Sequence, residues 1–288
     1  MKLADEWTDY ELIDLADGEK LERWGDITVA RPDPQVIWKK KSKPKSWNNI
    51  DAHYLRSSTG GGQWDYKSKL PDKWVISYKN LKFYVKTMGF KHMGLFPEQA
   101  VNWDWMIEKI QNAGRPIRVL NLFAYTGGAT VACAYAGAEV CHVDAAKGMV
   151  SWAKDNITLS NLSDKKVRFI VDDVKKFIER EIRRDNKYDA IIMDPPSYGR
   201  GPSGELWKIE DELYDLIELC RQVLTEKPLF LLINSYTTGF SATVLGNMLN
   251  MTITERHKGS VDVGEIGIPV SNSNQILPCG IYGRWESK

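Results

Sequence analysis

A chain of 288 residues with 43% apolar content can hold one large α/β domain with a smaller attachment and a sizeable core. Its longest apolar stretches, such as Pro228 to Ile233, are too short to span a bilayer, and the opening MKLADEWTDYE lacks the basic-then-apolar order of a signal peptide, so a cytoplasmic protein without membrane association is expected. The net charge of +1 hides an asymmetry: residues 1–34 hold 4 Lys/Arg against 10 Asp/Glu, and residues 35–95 hold 13 against 3.

Residues 1 to about 90 show short alternating segments broken by ARPDP, KSKPKSWNN and STGGGQ, the pattern of a small β-rich module with long loops. The basic segment 35–95 also carries Trp38, Trp47, Tyr54, Trp64, Tyr66, Trp74, Tyr78, Phe83 and Tyr84. Aromatics interleaved with lysines suit phosphate attraction and base stacking, which makes RNA the expected partner. The alternation in Trp74 to Tyr78 and Leu81 to Val85 equally fits half-buried strands whose lysines are merely solvated. Lys39 to Lys45, the run KKKSKPK, is the part hardest to bury, so it is read as a phosphate contact or a mobile loop.

From about Pro97 strands and helices alternate. The periodicity predicts a helix over Pro97 to Gln111, a strand over Ile117 to Phe123, a helix over Gly127 to Ala136 and a strand over Glu139 to Val143. Next come a helix over Ala146 to Ser160, a strand over Val167 to Val171, a helix over Val174 to Arg184 and a strand over Tyr188 to Met193. A helix over Leu206 to Thr225 follows, then strands over Leu229 to Ile233, Met251 to Lys258 and Ile276 to Trp285. Such units build a mostly parallel, doubly wound Rossmann-like sheet, with ligands at the carboxyl ends of its strands. Asn121 to Gly128, Asp144, Asp172, Asp173 and Asp194 all fall at or just beyond those ends. The expected division is residues 1–90 as the β-rich module and 91–288 as the α/β domain.

Four places carry chemistry. Val119 to Phe123 is an apolar strand running into Gly127-Gly128 and a small-residue helix, a turn that lets backbone approach a ligand beside helix-start amides. Asp144 follows Gly127 by 17 positions, where it either meets ribose hydroxyls or caps the helix near Ala146. Asp173 either contacts a ligand or caps the helix from Val174. In Asp194-Pro195-Pro196-Ser197-Tyr198, two prolines restrict the loop, so the Asp194 carboxylate and the Pro195 carbonyl keep fixed directions while Tyr198 offers a stacking face. The four cysteines show no C-x-x-C spacing, and Cys133, Cys141 and Cys220 sit in apolar patterns, so neither a metal nor a disulfide is expected.

In NLFAYTGG and DPPSY, from about Phe90 to the C-terminus, the chain resembles class I S-adenosylmethionine-dependent methyltransferases, in the branch containing the bacterial 23S ribosomal RNA large-subunit enzymes. The resemblance implies S-adenosylmethionine as cofactor and an antiparallel last strand. It implies a cofactor turn of Asn121, Phe123, Ala124, Tyr125, Thr126, Gly127 and Gly128, with Asp144 and Ala145 at the ribose and Asp173 and Val174 at the adenine edge. In KHMGLFPEQ, Phe96 and Gln99 would fold over the methionine end. Asp194, Pro195, Pro196 and Tyr198 are the expected catalytic residues.

The chain departs from relatives that methylate carbon 5 of cytosine, which need a thiolate. Its strand-five segment reads INSYTTG, with Ser235 and Tyr236 where the thiol would stand. A nitrogen acceptor, or an oxygen one, in RNA, ribosomal RNA first, is therefore expected rather than carbon 5 of cytosine. A small-molecule or protein methyltransferase would share the cofactor site without needing the basic module, and a non-catalytic RNA-binding protein could retain the pocket. The glycine-rich loop Gly199 to Lys208 is expected to order over the substrate.

Overall fold

The computed structural model describes residues 1–57, 61–200, 204 and 206–288. These residues form two compact units, one of Leu3–Ala100 with Gly267–Cys279, the other of Met1–Lys2, Val101–Ile266 and Gly280–Lys288.

After a short strand β1 (Lys2–Leu3), the smaller unit holds a five-stranded sheet of β2 (Tyr10–Ala16), β3 (Glu19–Trp24), β4 (Ile27–Pro32), β5 (Ala52–Arg56) and β6 (Gly62–Tyr66), in that order. A separate hairpin pairs β7 (Trp74–Tyr78) with β8 (Leu81–Val85). Asp17 and Gly18, at φ 54° and 79°, make the tight turn between β2 and β3 that an Asp-Gly pair favours. Inside, Arg31 donates to both carboxylate oxygens of Glu22 at 2.7 and 2.9 Å, and Tyr10 donates to the same group at 2.7 Å. Burial pushes the Glu22 carboxyl up, but the Arg31 guanidinium and Lys20 outweigh it and hold it at about 2.

Many aromatics of the basic segment turn out to be core: Trp47, Tyr54, Tyr78 and Phe83 are buried. Trp38, Trp64 and Trp74 spend their indole N–H groups on the backbone carbonyls of Leu15, Met88 and Trp24. The lysine run is also partly tied down. Asp14, fully buried, accepts from the backbone N–H groups of Ser42 and Lys43 and from Trp47 Nε1, while Lys43 Nζ donates to the Ser271 carbonyl. Lys41 lies 4.6 Å from the Trp47 ring, which leaves Lys39, Lys40 and Lys45 as the exposed cations of the run.

The larger unit contains α1 (Ala100–Gln111), β9 (Arg118–Leu122), α2 (Gly128–Tyr135), β10 (Glu139–Asp144), α3 (Lys147–Leu159), β11 (Val167–Val171), α4 (Val174–Arg183) and β12 (Ala190–Met193). It continues with the hairpin β13 (Tyr198–Arg200) and β14 (Leu206–Lys208), then α5 (Ile209–Gln222), β15 (Phe230–Ser235) and α6 (Ala242–Leu249). The long strands β16 (Gly259–Pro269) and β17 (Ile276–Ser287) complete an eight-stranded sheet ordered β1-β16-β17-β15-β12-β9-β10-β11. Strands β15, β12, β9, β10 and β11 run parallel and β17 runs antiparallel to β15, the doubly wound arrangement that the alternation predicts.

Alternate residues explain why both faces are covered. Leu120, Leu122, Cys141, Val143, Ile191, Met193, Leu231 and Ile233 join Phe177 and Ile178 of α4, Leu213, Leu216 and Ile217 of α5, and Leu245 and Leu249 of α6 in one apolar cluster. The intervening residues face α1, α2 and α3, where Phe230 meets Trp105 at 4.9 Å and His142 bonds Thr130 at 2.8 Å.

Two expected elements are corrected. The helix expected from Leu206 begins only at Ile209, because Leu206–Lys208 pairs antiparallel with Tyr198–Arg200, leaving Leu206 exposed. The strand expected over Met251 to Lys258 is a π-helical continuation of α6 over Asn250–Thr254, with Thr252 and Ile253 buried and Met251 exposed. A two-residue alternation of apolar and polar types also fits a wound segment that buries adjacent residues. The true strand starts at Gly259, where a Cβ would come within 2.4 Å of the Trp285 ring.

Candidate active site

The link between β9 and α2 is wound unusually tightly. Phe123, Tyr125 and Gly127 have φ of 52°, 50° and 85°, three left-handed residues in five positions. Bulky residues rarely adopt this conformation, so the surroundings must impose it. Ala124 N–H donates to the Val143 carbonyl at 3.1 Å, Gly127 N–H to the Ala124 carbonyl at 3.0 Å, and Asn156 Nδ2 to the Thr126 carbonyl at 2.9 Å. A Cβ on Gly127 would lie 2.8 Å from that of Ala153 on α3, so only glycine fits. Beneath the turn, buried Asn121 donates to Thr130 Oγ1 at 2.9 Å, and Thr130 in turn bonds His142 Nδ1, stitching β9, α2 and β10 together.

Burial alone pushes the His142 imidazole down to about 3. The unfolded chain therefore binds a proton that the folded chain refuses between about pH 6.5 and 3, so this contribution to stability is complete above pH 6.5 and fades as pH falls through that window. Urea unfolding at pH 7 and pH 4.5 should show a smaller acid loss in His142→Asn than in the parent. Equal losses in the two proteins would mean that His142 does not set the acid limb.

Asp144 is held by backbone N–H groups on both sides. Its two carboxylate oxygens accept from Tyr125 N–H and Ala146 N–H, each at 2.8 Å, so it braces the turn on one side and the residue just before α3 on the other, while α3 itself starts without a side-chain cap. Burial raises its carboxyl, and these two N–H groups act against that rise. A carboxylate has about four acceptor positions, so two remain for hydroxyls. Asp173 caps α4 by accepting from Lys176 N–H at 2.9 Å. Val174 has its side chain in the core with Phe177, while Ala145 is exposed. Asp172 is engaged by the Arg180 guanidinium.

The next strand supplies a second corner on the same rim. Met193 ends β12 fully buried, Asp194 is half-buried, Pro195 is buried, and Pro196 and Ser197 are exposed. Ser197 Oγ and Thr237 Oγ1 lie 2.6 Å apart, tying this corner to the loop after β15. The hairpin that follows carries Trp207, which was not singled out in the sequence although glycines flanked by Tyr198-Gly-Arg and Leu206-Trp-Lys have hairpin composition. Trp207 Nε1 donates to the Pro196 carbonyl at 2.6 Å, and its ring lies 5.1 Å from that of Phe123. Gly201, Pro202, Ser203 and Glu205, part of the loop expected to order over a substrate, lie outside the described residues.

Asn121, Phe123 to Gly128, Asp144, Ala145, Asp173, Val174 and Asp194 to Tyr198 thus gather at the carboxyl ends of β9, β10, β11 and β12, the rim where parallel sheets bind ligands. Phe96 and Gln99 belong to the smaller unit, Phe96 half-buried 5.6 Å from the His92 ring and Gln99 at the end of a 3-10 turn over Pro97–Gln99. Burial raises the thiols of Cys133, Cys220 and Cys279, and that of Cys141 to about 11. Ser235, at the end of β15, is buried and accepts from Thr237 N–H at 3.2 Å. Among the described residues no group of three His, Cys, Asp or Glu side chains could hold a metal ion, and no helix is long and apolar enough to cross a membrane.

Known proteins share this arrangement. The family model for S-adenosylmethionine-dependent methyltransferases matches residues 49–248. A SAM-dependent methyltransferase from Agrobacterium tumefaciens is 37% identical, with a TM-score of 0.93 over 100% of this chain and 94% of that one. SMU.776, solved with SAH, shares the fold at 19% identity and a TM-score of 0.75, over 97% of this chain and 76% of that one. Ribosomal RNA large subunit methyltransferase K/L of Pseudoalteromonas translucida is 32% identical over 151 residues, covering 52% of this chain and 20% of that protein. Its counterpart in Syntrophotalea carbinolica is 30% identical over 183 residues, covering 63% and 25%. The chain therefore spans a fifth to a quarter of the length of these two relatives. With its Gly127 turn, its rim carboxylate and a near full-length relative at 37% identity, this chain belongs to the S-adenosylmethionine-dependent methyltransferase family.

Proposed function

We propose that this methyltransferase modifies a base in RNA in the cytoplasm, with ribosomal RNA the first substrate to test, and that a nitrogen accepts the methyl. The RNA reading is supported by the relatives named as ribosomal RNA large subunit methyltransferases. The nitrogen reading rests on one observation above all: β15 ends at Ser235, followed by Tyr236, where a carbon-5 mechanism requires a thiolate.

The turn fits the cofactor, since Gly127 leaves no room for a side chain and Asp144 keeps acceptor positions for ribose hydroxyls. Asn121 and Phe123 to Gly128 would cradle it, with Ala145 beside the ribose and the Asp173 to Val174 backbone at the adenine edge. When bound, S-adenosylmethionine supplies an electrophilic methyl on a sulfonium. Asp194 and the Pro195 carbonyl would accept hydrogen bonds from the acceptor amine, orienting its lone pair and taking up the proton it sheds. Pro196 stiffens that corner, and Tyr198, 54% exposed, offers its ring to RNA from solvent.

The test is methyl transfer from labelled cofactor to ribosomal and transfer RNA taken from cells lacking this protein, followed by mass spectrometry of the nucleosides. One newly methylated base supports the proposal, and transfer confined to proteins or small molecules refutes it. Exposed Lys39, Lys40 and Lys45 are the cations of their run best placed for phosphate contact. Changing all three to glutamine should flatten the slope of log affinity against log salt by about 2, at roughly 0.7 per lost phosphate contact. An unchanged slope would remove this run from the RNA interface.

A further inference from the structure

In the hairpin after Asp-Pro-Pro, the two aromatic rings stand on opposite faces. Tyr198 pairs with Lys208, Gly199 with Trp207, and Arg200 with Leu206. Paired residues share a face of an antiparallel ladder and successive residues alternate, so Trp207 lies on the Gly199 face and Tyr198 on the other. The contacts agree. Trp207 is half-buried, bonded to the Pro196 carbonyl at 2.6 Å and seated 5.1 Å from Phe123, whereas Tyr198 is 54% exposed. Gly199, the partner of Trp207, has no side chain to fill the space on the Trp207 face.

We propose that Trp207, rather than Tyr198, is the aromatic wall that holds the acceptor ring during transfer, an assignment that rests on the RNA-base reading above. Trp207 has one support on each half of the site. Pro196 belongs to the acceptor corner, and Phe123 lies within the cofactor turn at φ 52°. The indole is fixed before any substrate arrives, so stacking a flat ring on it costs little further side-chain freedom. Its only polar atom is already bonded to Pro196, so the wall provides contact area without reading base edges. Discrimination between bases is left to Asp194 and the Pro195 carbonyl. Tyr198, on the outer face, then meets a neighbouring nucleotide.

The test compares Trp207→Ala, Trp207→Phe and Tyr198→Ala with the parent on RNA from cells lacking this protein, measuring kcat, KM for RNA and SAH affinity. Trp207→Ala should lower kcat by about ten- to a hundredfold with SAH affinity unchanged, as expected for loss of one stacked ring. Trp207→Phe keeps a ring but loses the latch to Pro196, so a loss of several-fold is expected. Tyr198→Ala should act mainly on KM. The assignment is overturned if Trp207→Ala keeps kcat within about twofold of the parent, or if its SAH affinity falls as far as its kcat. If Trp207→Ala does not fold, a parent-like kcat in Trp207→Phe overturns it equally. A parent that methylates no RNA removes both this assignment and the reading beneath it, whereas an active parent with an indifferent Trp207→Ala removes this assignment alone.

Discussion

Replacing Asp194 with alanine is expected to lower methyl transfer at least about a hundredfold while leaving SAH affinity within about threefold of the parent. Asp194 follows directly on β12, whose last residue, Met193, is fully buried, and the two prolines after it remove most of the loop's freedom. A carboxylate held there can accept a hydrogen bond from an incoming amine and later its proton, an interaction that strengthens as positive charge grows on nitrogen in the transition state. The loss should therefore appear in kcat. Asp194→Asn, which keeps an acceptor oxygen but no charge, should fall between alanine and the parent. Isothermal calorimetry with SAH separates the alternatives. If Asp194→Ala loses SAH affinity in step with activity, the carboxylate belongs to the cofactor pocket instead, and if it keeps more than half the activity, another group receives the proton.

The second large effect is expected at Gly127. An alanine there would adopt φ near +85° and place its Cβ 2.8 Å from Ala153 Cβ and 3.3 Å from Ala153 Cα, so part of α3 itself must move. The left-handed backbone costs about 1–2 kcal/mol and the overpacking about 1–3 kcal/mol more, a destabilisation of about 2–5 kcal/mol. Displacing α3 also pulls on Asn156, whose amide holds the Thr126 carbonyl within the turn. Gly127→Ala should therefore lose at least about tenfold in SAH affinity as well as stability. Gly148, in the first turn of the same helix, is the control: nothing lies within 4 Å of a Cβ there, so Gly148→Ala should be neutral or stabilise by up to about 1 kcal/mol. Urea unfolding and calorimetry on the pair check both statements, and a Gly127→Ala protein that binds SAH like the parent would show that the turn adapts.

Much of the fold is written locally. Ala190 to Met193 and Phe230 to Ile233 are short continuous apolar runs, as strands covered on both faces must be, and Leu213, Leu216, Ile217 and Cys220 recur at helical spacing. The Gly127 turn, the rim position of Asp144 and the Asp194-Pro195-Pro196 corner were legible for the same reason. A backbone that needs glycine or proline, and a carboxylate just past a strand, leave their mark within a few residues. Residues 251–258 misled because two-residue alternation does not distinguish a strand from a wound segment that buries neighbouring residues.

The sequence by itself determined the parallel sheet, the rim at which Gly127, Asp144 and Asp194 gather and the kind of group standing there, because period, turn chemistry and residue type are properties of short segments. Only the tertiary structure decided that Trp47, Tyr54 and Phe83 serve as core, that Asp144 accepts from both Tyr125 N–H and Ala146 N–H, and that Trp207 rather than Tyr198 leans on Phe123. Those outcomes depend on which distant segments pack or pair, and on which face of the pairing a side chain falls, and a one-residue shift in register would reverse the last of them.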